Sequence, residues 1–98
     1  DEAFSRAIYD TVGTGTMISE SIPAAVAIAY YAKDVKKCAI ICTNLGGDTD
    51  TIGAMATAIC GAKNGASAIP EEWKKLIDSK NPQHNIKEFA DKIAAFNA

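Results

Sequence analysis

Apolar residues recur along this chain at intervals of three and four over most of its length. That is the spacing of helices with a buried side. Phe4, Ala7, Ile8 and Val12 predict a first helix over residues 1–12, with Asp1 and Glu2 favourably placed at its positive end. Gly13-Thr14-Gly15-Thr16 breaks the pattern and reads as a loop. Pro23, at home in a first helical turn, then opens an apolar helix from Ala24 to Ala32. This segment is apolar nearly all round, which predicts burial with cover on both of its sides.

Asp34 is a candidate N-cap for a third helix carrying Val35, Cys38, Ala39, Ile41, Cys42 and Leu45 and running into Gly46. A fourth spans Asp50 to about Asn64 and is rich in small residues, with Gly65 as its C-cap. Each interior glycine of that helix lowers its stability by about 1 kcal/mol relative to alanine. Close approach of another backbone or of a ligand is therefore expected at Gly53 and Gly61. Ala68-Ile69-Pro70-Glu71-Glu72-Trp73 reads as the start of a fifth helix, with Trp73, Leu76 and Ile77 turned inward. After a polar loop over residues 79–85, Asn85 can cap a last helix with Ile86, Phe89, Ile93 and Phe96 on one stripe. With no convincing strand, the fold class is all-α, a compact multi-helix bundle.

Composition narrows the class. Ninety-eight residues make one domain or part of one. An apolar share of 48% and a charged share of 22% describe an ordinary globular chain. A net charge of −2 leaves no basic footprint for nucleic acid. The apolar run Ala24 to Ala32 is too short to cross a membrane. Cys38, Cys42 and Cys60 lie in apolar helical segments and read as free buried thiols of a reducing, cytoplasmic protein. The one histidine, His84, falls in a Pro/Asn-rich connection and reads as a solvated loop residue.

The candidate chemistry sits in Asn44-Leu45-Gly46-Gly47-Asp48-Thr49-Asp50-Thr51. Gly46 and Gly47 suit a helix end and a sharp reversal. Asp48 then suits the N-cap of the next helix, with Asp50 and Thr51 in its first turn. Two readings are open. One is a helix cap and nothing more. The other is a cation site, in which Asp48, Asp50 and Thr51 offer hard oxygen ligands suited to Mg²⁺, Mn²⁺ or Ca²⁺. The Gly13–Thr16 loop is neither GxGxxG nor a P-loop, and a plain interhelical turn is its default reading.

Three segments in order carry a resemblance: Gly13-x-Gly15 with Glu20-Ser21-Ile22-Pro23, then Gly46-Gly47-Asp48-Thr49-Asp50-Thr51, then Ile69-Pro70-Glu71-Glu72-Trp73. Together they resemble the C-terminal part of the ADP-ribosylglycohydrolase family over roughly residues 12–77. The resemblance implies that residues 1–98 are the C-terminal portion of one all-α domain. It also implies a pair of bound divalent cations, Mg²⁺ or Mn²⁺, and hydrolysis of the bond between ribose and its acceptor in ADP-ribosylated proteins or ADP-ribose conjugates. Asp48 and Asp50 would be catalytic and, with Thr51, would hold metal; Gly15 and Thr16 would contact ADP-ribose. Thr16 stands where the family more often has a larger apolar or aromatic residue. The family's other metal ligands belong to an N-terminal half, so the remainder of the domain or a second chain is the implied partner, and the isolated chain is expected to be inactive. The alternative is a catalytically inactive relative that serves as a structural or ADP-ribose-binding protein.

Overall fold

The computed structural model describes residues 2–96, and every described element is helical. The elements are α1 (Glu2–Thr11), α2 (Ile18–Ala32), α3 (Val35–Thr43), α4 (Thr49–Asn64), a single 3₁₀ turn (Ala66–Ala68), α5 (Glu71–Lys80) and α6 (Ile86–Phe96). The all-α expectation holds. The favourable charge expected of Asp1 lies outside the described residues.

The core forms where α4 packs on α3 and α2. Ile28 and Ile52 are fully buried at its centre, ringed by Ala24, Ala25, Ala56, Cys38 and Cys42. Burying an isoleucine side chain of this kind stabilises a fold by about 1.5–3 kcal/mol. The alanines keep the helix axes close. Gly53 does the same: a Cβ there would lie 3.3 Å from Cys42 Cβ, so the glycine marks a close approach as expected. Gly61 departs from expectation, since a Cβ there would meet nothing within 4 Å. Phe4 of α1 stacks on Tyr31 of α2 with ring centroids 3.8 Å apart, and Ile8 anchors α1 to the core.

Several local expectations hold at the atomic level. The Asp34 carboxylate accepts the Lys37 backbone N–H at 2.9 Å and caps α3. Asn85 accepts the Glu88 N–H at 3.0 Å and caps α6. Gly65 ends α4 at φ +82°. All three cysteines are free and buried. Burial pushes the Cys38 and Cys42 thiols up, so they stay protonated and pack as small apolar side chains. His84 is exposed in the connection before α6.

Others are corrected. Helix α2 begins at Ile18, five residues before Pro23, which lies inside it. The Met17 carbonyl closes the first turn by accepting the Glu20 and Ser21 N–H groups, both at 2.9 Å. A main-chain start of this kind leaves no side-chain cap to read. The same helix is buried on one side only: Ile18, Ile22, Val26 and Tyr30 form an exposed stripe, with Tyr30 78% exposed. Leu76 and Ile77 of α5 do not turn inward but lie about half exposed, and Trp73 is half-buried. The predicted stripe of α6 exists, yet Ile86, Phe89, Ile93 and Phe96 are all exposed. Periodicity marks a side that suits burial; it does not supply the surface that buries it.

Candidate functional site

The reversal between α3 and α4 is built by two left-handed glycines, Gly46 at φ +89° and Gly47 at φ +75°. A side chain at Gly47 would collide with the Thr14 hydroxyl and carbonyl, so the chain passes there only as glycine. The Asp48 N–H donates to the Thr14 carbonyl at 2.7 Å. The Gly13–Thr16 loop is thereby tied to the acidic turn, and Thr14 is buried between them. Gly15 and Thr16, the predicted sugar-side residues, follow directly on Thr14. The loop that carries Gly15 and Thr16 and the turn that carries Asp48 therefore adjoin through Thr14.

Asp48 occupies the N-cap position of α4, but its side chain makes no capping hydrogen bond. Its carboxyl group is hydrogen-bonded to the Asp50 carboxylate instead. That contact, with the N–H groups of Thr51 and of Asp50 itself, holds the Asp50 carboxyl below its ordinary value. Asp50 and Thr51 are exposed and Asp48 is half-buried. The acidic turn is therefore open to solvent on this segment. The clefts formed by Glu2, Ser5, Ile40, Ile41 and Asn44, and along α6, lie elsewhere.

Two carboxylates and one hydroxyl are hard oxygen ligands of the type Mg²⁺ and Mn²⁺ take. They are too few for an octahedral shell, and among the described residues no group of three or more His, Cys, Asp or Glu is placed to hold a metal. The residues present fit part of such a site.

Sequence reasoning passed over Thr14 and the role of Glu20. The Gly15 N–H donates to the Glu20 carboxylate at 3.2 Å, and a side chain at Gly13, φ +92°, would run into that carboxylate. The loop wraps Glu20 and leaves the Gly15 N–H engaged, which removes it as a phosphate donor. A signal was available: two glycines flanking one residue, followed five positions later by an acid in a helix's first turn.

A model of the ADP-ribosylglycohydrolase family matches residues 1–97. The chain belongs to the ADP-ribosylglycohydrolase family. It is 47% identical over 96 residues to the uncharacterized protein YegU of Escherichia coli (strain K12), a match covering 97% of this chain and 28% of that protein. It is 33% identical over 82 residues to the human ADP-ribosylhydrolase ARH3, covering 72% of this chain and 23% of that protein. Similarity to the ADP-ribosyl-[dinitrogen reductase] glycohydrolase of Rhodospirillum rubrum is 42% over 52 residues, covering 52% of this chain and 18% of that enzyme. This family segment spans less than a third of the length of each of these relatives. No solved structure matches the chain.

Proposed function

We propose that this chain is one part of a divalent-metal-dependent hydrolase that cleaves the ribosyl bond of ADP-ribosylated proteins or related ADP-ribose conjugates. The observation that carries the reading is the Asp48 side chain. It stands at a helix start without capping it and lies beside a second carboxylate. Two adjacent carboxylates repel unless a proton or a cation comes between them.

In this reading Asp48, Asp50 and Thr51 hold cations, Mg²⁺ or Mn²⁺, which when bound fix the ribose hydroxyls and polarise a water. Asp48 and Asp50 would serve catalysis through the cations they hold, at a bond whose cleavage passes through an oxocarbenium-like state. Gly15 and Thr16 border the sugar. Registration of Asp48 on Thr14 keeps the sugar side and the acidic side at a fixed separation.

The remaining ligands would come from the rest of the family domain, in the same polypeptide or in a second chain. The exposed stripe Ile18, Ile22, Val26 and Tyr30 supports this. It is a continuous apolar face on a helix whose other side is already core, and the relatives carry more than two-thirds of their length outside the match. The segment is read as the C-terminal portion of that domain, working in the cytoplasm.

The test is release of ADP-ribose from a modified peptide, with and without Mn²⁺, by this chain alone and by this chain joined to the rest of a family domain. The joined form should be active and metal-dependent. The chain alone should be inactive, and tight stoichiometric binding of a pair of Mn²⁺ ions to it would contradict the shared site.

A further inference from the structure

Glu20 is a half-buried carboxylate that faces inward to its own chain. The Gly13–Gly15 loop closes around it, through the Gly15 N–H at 3.2 Å and a backbone at Gly13 too near to admit a side chain. The residue at the crest of that loop, Thr14, is buried, and its carbonyl holds the Asp48 N–H at 2.7 Å. Gly47 lies against the same residue. Contacts therefore run without a gap from Glu20 to the loop, from the loop to Thr14, and from Thr14 to the acidic turn. Met17 fixes the other end of Glu20, since its carbonyl accepts the Glu20 N–H and so sets where α2 begins.

We propose that Glu20 is a positioning residue: its carboxylate sets the shape of the Gly13–Thr16 loop and, through the Thr14 carbonyl, the place of Asp48. Glu20 touches neither metal nor sugar in this account. It fixes the spacing between the residues that do. Its functional meaning rests on the reading of Asp48 as a site residue. The mechanical link between the two loops does not.

A hydrogen bond to a charged acceptor is strong enough that its loss moves local exchange by roughly tenfold or more. Amide hydrogen exchange followed by NMR reads the link directly at Gly15 and at Asp48. Glu20→Ala and the shortened Glu20→Asp should speed exchange at both by about tenfold, because neither reaches the Gly15 N–H. Glu20→Gln, which keeps an acceptor oxygen at the same reach, should stay within about threefold of the parent chain. Amides of Ile28 and Ile52, in the core, should not move in Glu20→Asp or Glu20→Gln. A merely structural role would loosen the core amides along with the loop. Should Glu20→Ala fail to fold, the Asp and Gln variants decide. Unchanged exchange at Asp48 in Glu20→Asp overturns the proposal, as does a Gln variant no better than the Asp variant. A Mn²⁺ titration of the same variants, each joined to the rest of a family domain, separates the two readings. Absence of Mn²⁺ binding in the parent form, with the exchange pattern intact, counts against the metal site and leaves the loop coupling standing.

Discussion

Asp34 and Asp48 stand at the same kind of position, the residue before the first turn of α3 and of α4, and they behave differently. Asp34 is extended and turns its carboxylate onto the Lys37 N–H, satisfying a donor that the helix leaves open. Asp48 makes no such bond. Its main chain is held by Thr14 and its side chain lies beside Asp50. One aspartate is spent on folding. The other is withheld from it, at a place where the surrounding glycines and the neighbouring loop fix its backbone instead. A carboxylate so placed is available to a ligand without loss of the helix it precedes.

The largest expected effect separates the two in function. In a complete family domain, Asp48→Asn should weaken Mn²⁺ binding by more than about a hundredfold, beyond what loss of an outer-shell group causes. Asp34→Asn should leave it unchanged. Isothermal titration reads both, and equal losses would erase the contrast.

Next in size is the backbone. Gly47→Ala should destabilise the chain by about 1–3 kcal/mol in urea unfolding, because it forces a side chain into a left-handed turn against Thr14. No such loss is expected for Gly61→Ala, which meets open space inside a helix and should stabilise by about 0.5–1 kcal/mol.

The caps themselves come third. Asp34→Ala should lower stability by about 1 kcal/mol, the usual value of a lost N-cap. Asp48→Ala should change it by less than about 0.5 kcal/mol, because no capping bond is lost. A cap-sized loss at Asp48 would mean that its side chain serves the helix after all.

The smallest effect is in acid. The Asp50 carboxyl titrates below the ordinary aspartate range. A depressed folded value adds stability that is complete above the ordinary range and is lost as pH falls through the lowered one. Asp50→Asn should lose that small contribution at neutral pH and with it that stretch of the acid limb, so that the two proteins converge in strong acid, as followed by circular dichroism between neutral and strongly acidic pH.

Much of this was legible in the sequence, for a physical reason. Helices and their caps depend on residues within one turn of each other, so Asp34, Asn85 and Gly65 could be read locally. The start of α2 could not, because Met17 begins it with a carbonyl and Pro23 imitates a first turn. The acidic turn was legible as a cluster of oxygens beside two glycines. The link from Thr14 to Asp48 was not, since it joins segments far apart in the chain through main-chain atoms that carry no residue signature. The stripes on α2 and α6 were read correctly as apolar, and the cover expected on both sides of α2 is not supplied by this segment. An amphipathic pattern states a need, and its partner lies outside the residues that show it.

The account turns on Asp48 and Asp50 acting on a cation and a ribose together. The direct measurement is Mn²⁺-dependent release of ADP-ribose from a modified peptide by a complete family domain carrying this segment, with Asp50 present or replaced by Asn. The account predicts release that needs Mn²⁺ and falls more than about a hundredfold in Asp50→Asn while the helical spectrum is kept. Equal turnover by the two proteins would contradict it.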